Sequence, residues 1–182
     1  MGSVTKTFTA AAVMQLVEEG LLLSLDDPAY QHVDPVLRRL NGTSLRELWH
    51  GDATIEKVTV GQLLGMRSGI NDYDDRAYEA FTLSHPNATV TPFDLLATVN
   101  KTWMFAPGQG GGYSSVNYEL LGLVLVRHKV SAKGGWKDYD QLSVIPEALR
   151  RTGGFQHTIF PLEGSCTAYT SRGIHVAPRP YS

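Results

Sequence analysis

Two short stretches hold residue types that could carry out acyl transfer. In "GSVTK", Ser3 stands three residues before Lys6. On a helix, positions i and i+3 share one face a turn apart. A serine at a helix N-terminus sits where free backbone N–H groups and the helix dipole favour an oxyanion. A lysine one turn in, among apolar neighbours, is able to accept a proton from that hydroxyl without any histidine. The other reading of the same letters is a serine N-cap followed by a solvated lysine, because one Ser-x-x-Lys pair is expected by chance in a chain of this length. The second stretch is "PGQGGGYSSVNYELLG", with Tyr113 and Ser115 where a glycine-rich loop meets an apolar helix. Glycines let a backbone turn tightly and come close to a ligand. A phosphate loop is excluded because no Gly-Lys-[Ser/Thr] follows. The alternative is a packed tyrosine and a helix cap at Ser115.

These residues need elements to hold them. "SVTKTFTAAAVMQLVEEG" predicts a helix with Ser3 as cap, Gly20 as C-terminal glycine, and Ala10, Val13, Met14 and Val17 on the buried face. "SLDDPAYQ" is a turn, and residues 31–58 read as mixed and loop-rich. "TVGQLLGMRSGI" predicts a short helix capped by Thr59 and ended by Gly69, and "NDYDD" a polar loop. "DRAYEAFTL" and "TPFDLLATVNK" predict two further helices, the second with Thr91 as cap and Pro92 at its first position. "VNYELLGLVLVRHKV" is the strongest helix, and "GWKDYDQLSVIPEAL" reads as helical up to Pro146. From Arg151 onward the pattern changes to short β-like runs among turn residues. Helix dominates, and strand signal is scarce and late.

Composition narrows the function classes. The 182 residues are 42% hydrophobic and 19% charged, an ordinary globular balance. A formal net charge of −2, with no basic stripe, argues against nucleic acid and anionic membrane surfaces as partners. The run "LLGLVLV" is far too short to span a bilayer. The opening carries neither a secretory leader nor a myristoylation signal. Cys166 is the sole cysteine, which leaves no internal disulfide and no cysteine-based zinc site. The six histidines are scattered, so no metal site and no cofactor are expected. Asn41, Asn87 and Asn100 lie in N-x-[Ser/Thr] sequons, three of the five asparagines, which leans toward a secreted glycoprotein.

Taken together and in order, the motifs resemble the serine β-lactamase and penicillin-binding protein superfamily, in its branch of class C β-lactamases, D-alanyl-D-alanine carboxypeptidases and related esterases. "GSVTKTFTAAAVMQLVEEGLLLSLDDP" is similar to that branch's nucleophile helix, "TVGQLLGMRSGINDYD" to its Leu-Leu-x-x-x-Ser-Gly segment, and "FAPGQGGGYSSVNYELLG" to its Tyr-x-Asn element. The resemblance covers residues 1 to about 125. It implies an α+β fold, acting on a small-molecule or peptide substrate through an acyl-enzyme. Ser3 would be the nucleophile, Lys6 would hold its proton network, Tyr113 would shuttle the proton, Ser115 would bind substrate, and the Ser3 N–H would give half of an oxyanion hole.

The chain departs from that pattern in two places. Ser115 stands where the family has asparagine. Asn117, two residues on, falls on another side of the helix and is no replacement. The family's late Lys/His-x-Gly element is also missing: Lys133-Gly-Gly follows the Tyr113 helix too soon, and His175 lacks the glycine. Residues 1–182 therefore read as one partial domain, mostly helical, lacking most of the central antiparallel sheet. An apolar helix face left bare in such a portion predicts poor solubility. Two other readings remain open: a non-catalytic relative that kept the fold, and a small all-helical interaction domain.

Overall fold

A computed structural model of the chain describes residues 2–155 and 158, except 74, 86, 87 and 89. Among the described residues eight α-helices follow one another: α1 (Thr5–Glu18), α2 (Ala29–Asn41), α3 (Leu45–Leu48), α4 (Val60–Leu64), α5 (Asp75–Ser84), α6 (Pro92–Thr98), α7 (Val116–Lys129) and α8 (Glu147–Thr152). Among the described residues there is no β-strand, only isolated bridges between Pro28 and Thr59 and between Ile70 and Trp103. The helical span without its sheet, expected from sequence, is what is found.

α7 is the hub. Val116, Asn117, Leu120, Leu121 and Leu123–Val126 are all buried, so apolar side chains surround it instead of marking one stripe. It packs against α1, α2, α4 and α6. Arg127, His128 and Lys129 occupy its last turn, where cations suit the helix dipole.

Several local expectations hold. Thr59 caps α4 in a capping box with Gln62, and Thr91 caps α6 in one with Asp94, with Pro92 at the first position. Gly20 ends α1 at φ 70°, with the Leu22 N–H reaching back to the Leu16 carbonyl at 3.0 Å.

Others are corrected. The buried face of α1 is Thr9, Ala12, Val13 and Leu16, and Met14 is 48% exposed. The periodicity favoured Met14 over the polar Thr9, but Thr9 is buried and its hydroxyl accepts a hydrogen bond from Gln141. α2 lies inside the stretch read as loop-rich. Pro35 interrupts its pattern but is on the exposed side, while Val33, Val36 and Leu37 are buried. α4 ends at Gly65, not Gly69. The stretch before Pro146 is not an α-helix but two 3₁₀ turns, Trp136–Asp138 and Gln141–Val144. There the Asp138 and Asp140 carboxylates accept from the Gly135 and Leu142 N–H groups at 2.7 and 2.9 Å, in competition with a helical backbone. Cys166, His175 and the late β-like runs lie outside the described residues, as does Asn87. Asn41 and Asn100 are exposed.

Among the described residues no helix is long and apolar enough to cross a membrane, and no group of three or more His, Cys, Asp or Glu side chains is placed to hold a metal ion.

Candidate active site

Ser3 is not the N-cap the sequence suggested. It lies in a 3₁₀ turn, Gly2–Val4, that runs into α1, and α1 has no side-chain cap. Its hydroxyl is therefore free to face away from the helix backbone. Ser3 Oγ is 2.6 Å from the Tyr113 OH. Lys6 Nζ donates to Ser3 Oγ at 3.2 Å, to the Tyr113 OH at 2.9 Å and to Ser115 Oγ at 3.4 Å. Residues 110 positions apart thus converge around one ammonium.

Each side chain has a cause for its place. α1 and α7 pack against each other, bringing their N-terminal ends together. The loop carrying Tyr113 is then clamped by the segment after α4. Gly108 N–H donates to the Arg67 carbonyl at 2.8 Å, Gly112 N–H to the Met66 carbonyl at 3.0 Å, and Met104 N–H to the Gly69 carbonyl at 2.8 Å. Gly69 must be glycine: its φ is +78°, and an added Cβ would lie 2.0 Å from the Phe105 carbonyl oxygen. The Leu-Leu-x-x-x-Ser-Gly segment works as a bracket for the loop that bears the tyrosine.

Two residues of that bracket were not singled out from sequence. Asp72 Oδ1 accepts from the Ser115 N–H at 2.9 Å, and the Asn71 carbonyl accepts from the Ser114 hydroxyl at 3.2 Å. Both lie in the stretch read only as a polar loop. Asn117 is fully buried, and its amide nitrogen donates to the Ser114 carbonyl at 3.1 Å. Its side-chain oxygen accepts from the Ser68 hydroxyl. It braces the loop from inside and does not stand in for the asparagine that Ser115 replaces, as the sequence indicated. Lys133 follows the far end of α7, about 20 Å along the helix from Ser115 at 1.5 Å per residue.

The electrostatics ease ionisation of the phenol. The Tyr113 hydroxyl is lowered to about 8, first by its hydrogen bond from Lys6, then by those with Ser115 and Ser3. At pH 7.4 that leaves ~20% ionised, against ~0.3% for an ordinary tyrosine near pKa 10. Tyr113 is 57% exposed, so its oxygen can meet a substrate from solvent.

The beta-lactamase family's sequence model matches residues 1–144. The chain belongs to the beta-lactamase family. Membership places it in the serine β-lactamase and penicillin-binding protein superfamily, a family of serine hydrolases. A D-stereospecific amidohydrolase from Streptomyces sp. shares the fold with a TM-score of 0.61 and 33% identity, over 82% of this chain and 41% of that one. Protein flp of Staphylococcus aureus strain NCTC 8325 / PS 47 is 30% identical over 125 residues, and that of strain N315 is 29% identical over 130. Each flp match takes in 69% of this chain, which spans 22% of the length of these curated relatives.

Proposed function

We propose that the Ser3 hydroxyl attacks the carbonyl of a peptide, ester or lactam and forms an acyl-enzyme. Tyr113, as phenolate, takes the Ser3 proton as the Oγ–carbon bond forms, then passes it to the leaving group as the scissile bond breaks. In the second half, Tyr113 takes a proton from water, whose oxygen attacks the ester, and the proton returns to Ser3 Oγ. Lys6 remains a donor to both oxygens and holds the phenolate. The Ser3 N–H supplies one oxyanion donor, and Ser115 Oγ meets the substrate's amide. One observation carries this reading: Ser3 Oγ, Lys6 Nζ and the Tyr113 OH lie within 2.6–3.2 Å of one another.

Turnover by residues 1–182 is proposed to be slow or absent, since the described residues offer one oxyanion donor and no Lys/His-x-Gly element beside Ser3. Ser115 favours a second reading, a binding or scaffold relative that no longer turns over. The exposed sequons at Asn41 and Asn100 support a secreted protein. A fluorophosphonate probe, followed by peptide mass mapping, separates catalysis from scaffolding. We expect one adduct on Ser3, lost in Ser3→Ala. Labelling that persists in Ser3→Ala, or no labelling of the wild-type chain, overturns the nucleophile assignment.

A further inference from the structure

Behind Lys6 a groove runs along α7. Its floor follows one helical face, Ser115, Glu119, Gly122 and Val126, at spacing i, i+4, i+7, i+11. Lys6 and Thr9 of α1 also line it, as do Trp136 and Tyr139 at the 3₁₀ turn that follows α7. The cavity holds about 620 Å³, within the ordinary size of a small-molecule site.

Glu119 is the feature with no structural explanation. It stands in the first turn of α7, where an acid suits the dipole, but an exposed acid would serve that purpose without losing solvent. Burial instead raises its carboxyl above the ordinary glutamate value; Lys6 opposes the rise and Asp72 adds to it. Among the described residues its carboxylate makes no hydrogen bond and no ion pair. Its oxygens keep contact with the solvent of the groove, so a group entering the groove meets a carboxylate with no protein partner to displace. The rings nearby limit what that is. Aromatic rings attract cations, and Tyr118, Tyr139 and Trp136 line the groove; Lys6 Nζ already lies 5.8 Å from the centre of the Tyr118 ring, and Lys137 Nζ 5.5 Å from that of Trp136. The space is open at Gly122, where an added Cβ would meet nothing within 4 Å. A glycine inside a helix is less favourable than alanine, and here it leaves the groove unfilled.

We propose that this groove is a subsite for a primary ammonium group, held by the Glu119 carboxylate and walled by the Trp136, Tyr139 and Tyr118 rings. An ammonium there supplies the donors that Glu119 lacks, and the attraction of the carboxylate offsets the repulsion between that ammonium and Lys6. The groove shares Lys6 and Ser115 with the Ser3 centre. On the reading of Ser3 as nucleophile, on which this extension rests, the preferred acyl donors carry a cationic amine that reaches past Lys6.

The test is titration of residues 1–182 with benzylamine and with neutral benzyl alcohol at pH 7.5, by calorimetry or ligand-observed NMR. We expect benzylamine to bind more tightly than the alcohol. Glu119→Gln should weaken the amine at least tenfold and the alcohol less than twofold. Gly122→Leu, which fills the groove and favours the helix, should abolish binding of both. Ser3→Ala should keep the amine affinity, so that a wrong nucleophile and a wrong subsite give different results. Equal affinity for amine and alcohol, an unchanged amine affinity in Glu119→Gln, or no saturable binding of benzylamine by the wild-type chain overturns the subsite.

Discussion

The chemistry at residue scale turns on one oxygen. Tyr113 is more than half exposed, so burial does little to its hydroxyl; its hydrogen bonds do the work, with Lys6 first. The proton of the phenol is therefore lost near pH 8 and not near 10. On the proposed mechanism, in which the deprotonated form accepts the Ser3 proton, acylation should rise with pH through about 8 and level off above it. The chain has eight tyrosines, so the difference between wild-type and Tyr113→Phe absorbance at 295 nm is the signal to follow. We expect that difference to titrate near 8 in the wild type, and to move back toward 10 when Lys6→Met removes the largest cause. A difference that titrates at 10 with Lys6 intact would show that the ammonium does not reach the phenol in solution.

At the scale of elements, the contact between α2 and α7 contains a pair that responds to pH. His128 Nε2 lies 3.0 Å from His32 Nδ1, with the rings 5.1 Å apart. Asp27 faces His32 Nε2 at 3.6 Å from the loop before α2, Arg127 and Lys129 flank the pair on α7, and Glu19 at the end of α1 is bound to Lys129. Burial is the main cause holding both imidazoles below their ordinary value; Asp27 opposes this for His32, while Arg127 adds to it for both. The folded chain thus resists protons that the unfolded chain accepts near 6.5. Stability is complete above that value and is lost as pH falls below it toward the folded values. Thermal melts should show the midpoint falling between pH 7 and 5.5, with a shallower fall in His128→Leu; parallel slopes would rule the pair out as the cause. Neither histidine was paired from sequence, because 96 residues separate them and α2 itself was missed behind Pro35. Helices with clear punctuation, such as α4, α6 and α7, were legible. So was the meeting of Ser3, Lys6 and Tyr113, though through the order of three family-like motifs and not through spacing alone. Glu119 went unnoticed because a glutamate in a first turn reads as a solvated acid. The signal available was its place four residues after Ser115 and three before a glycine, on one face.

Over the whole molecule, the balance between buried and exposed apolar surface is uneven. The core around α7 is closed, but α1 turns a second apolar stripe outward. Val4 is 59% exposed, Met14 48% and, just past the helix, Leu23 86%. Thr7 and Ala11, on the same side of α1, border a shallow apolar groove lined on its other side by Leu149 and Phe155. Single exposed apolar side chains are ordinary on any protein, whereas a contiguous face beside an apolar groove marks a surface that associates. The chain should therefore self-associate at micromolar concentration and bind an apolar dye. Met14→Lys and Leu149→Lys together put two charges on that face without touching the core. Changes at exposed positions usually shift stability by no more than about 0.5 kcal/mol each, so the thermal midpoint should hardly move. Sedimentation velocity should nevertheless show at least a tenfold weaker association and a loss of dye fluorescence. If the double variant associates as strongly as the wild type, the α1 face is not the contact, and the imbalance inferred from its exposed side chains is met in some other way.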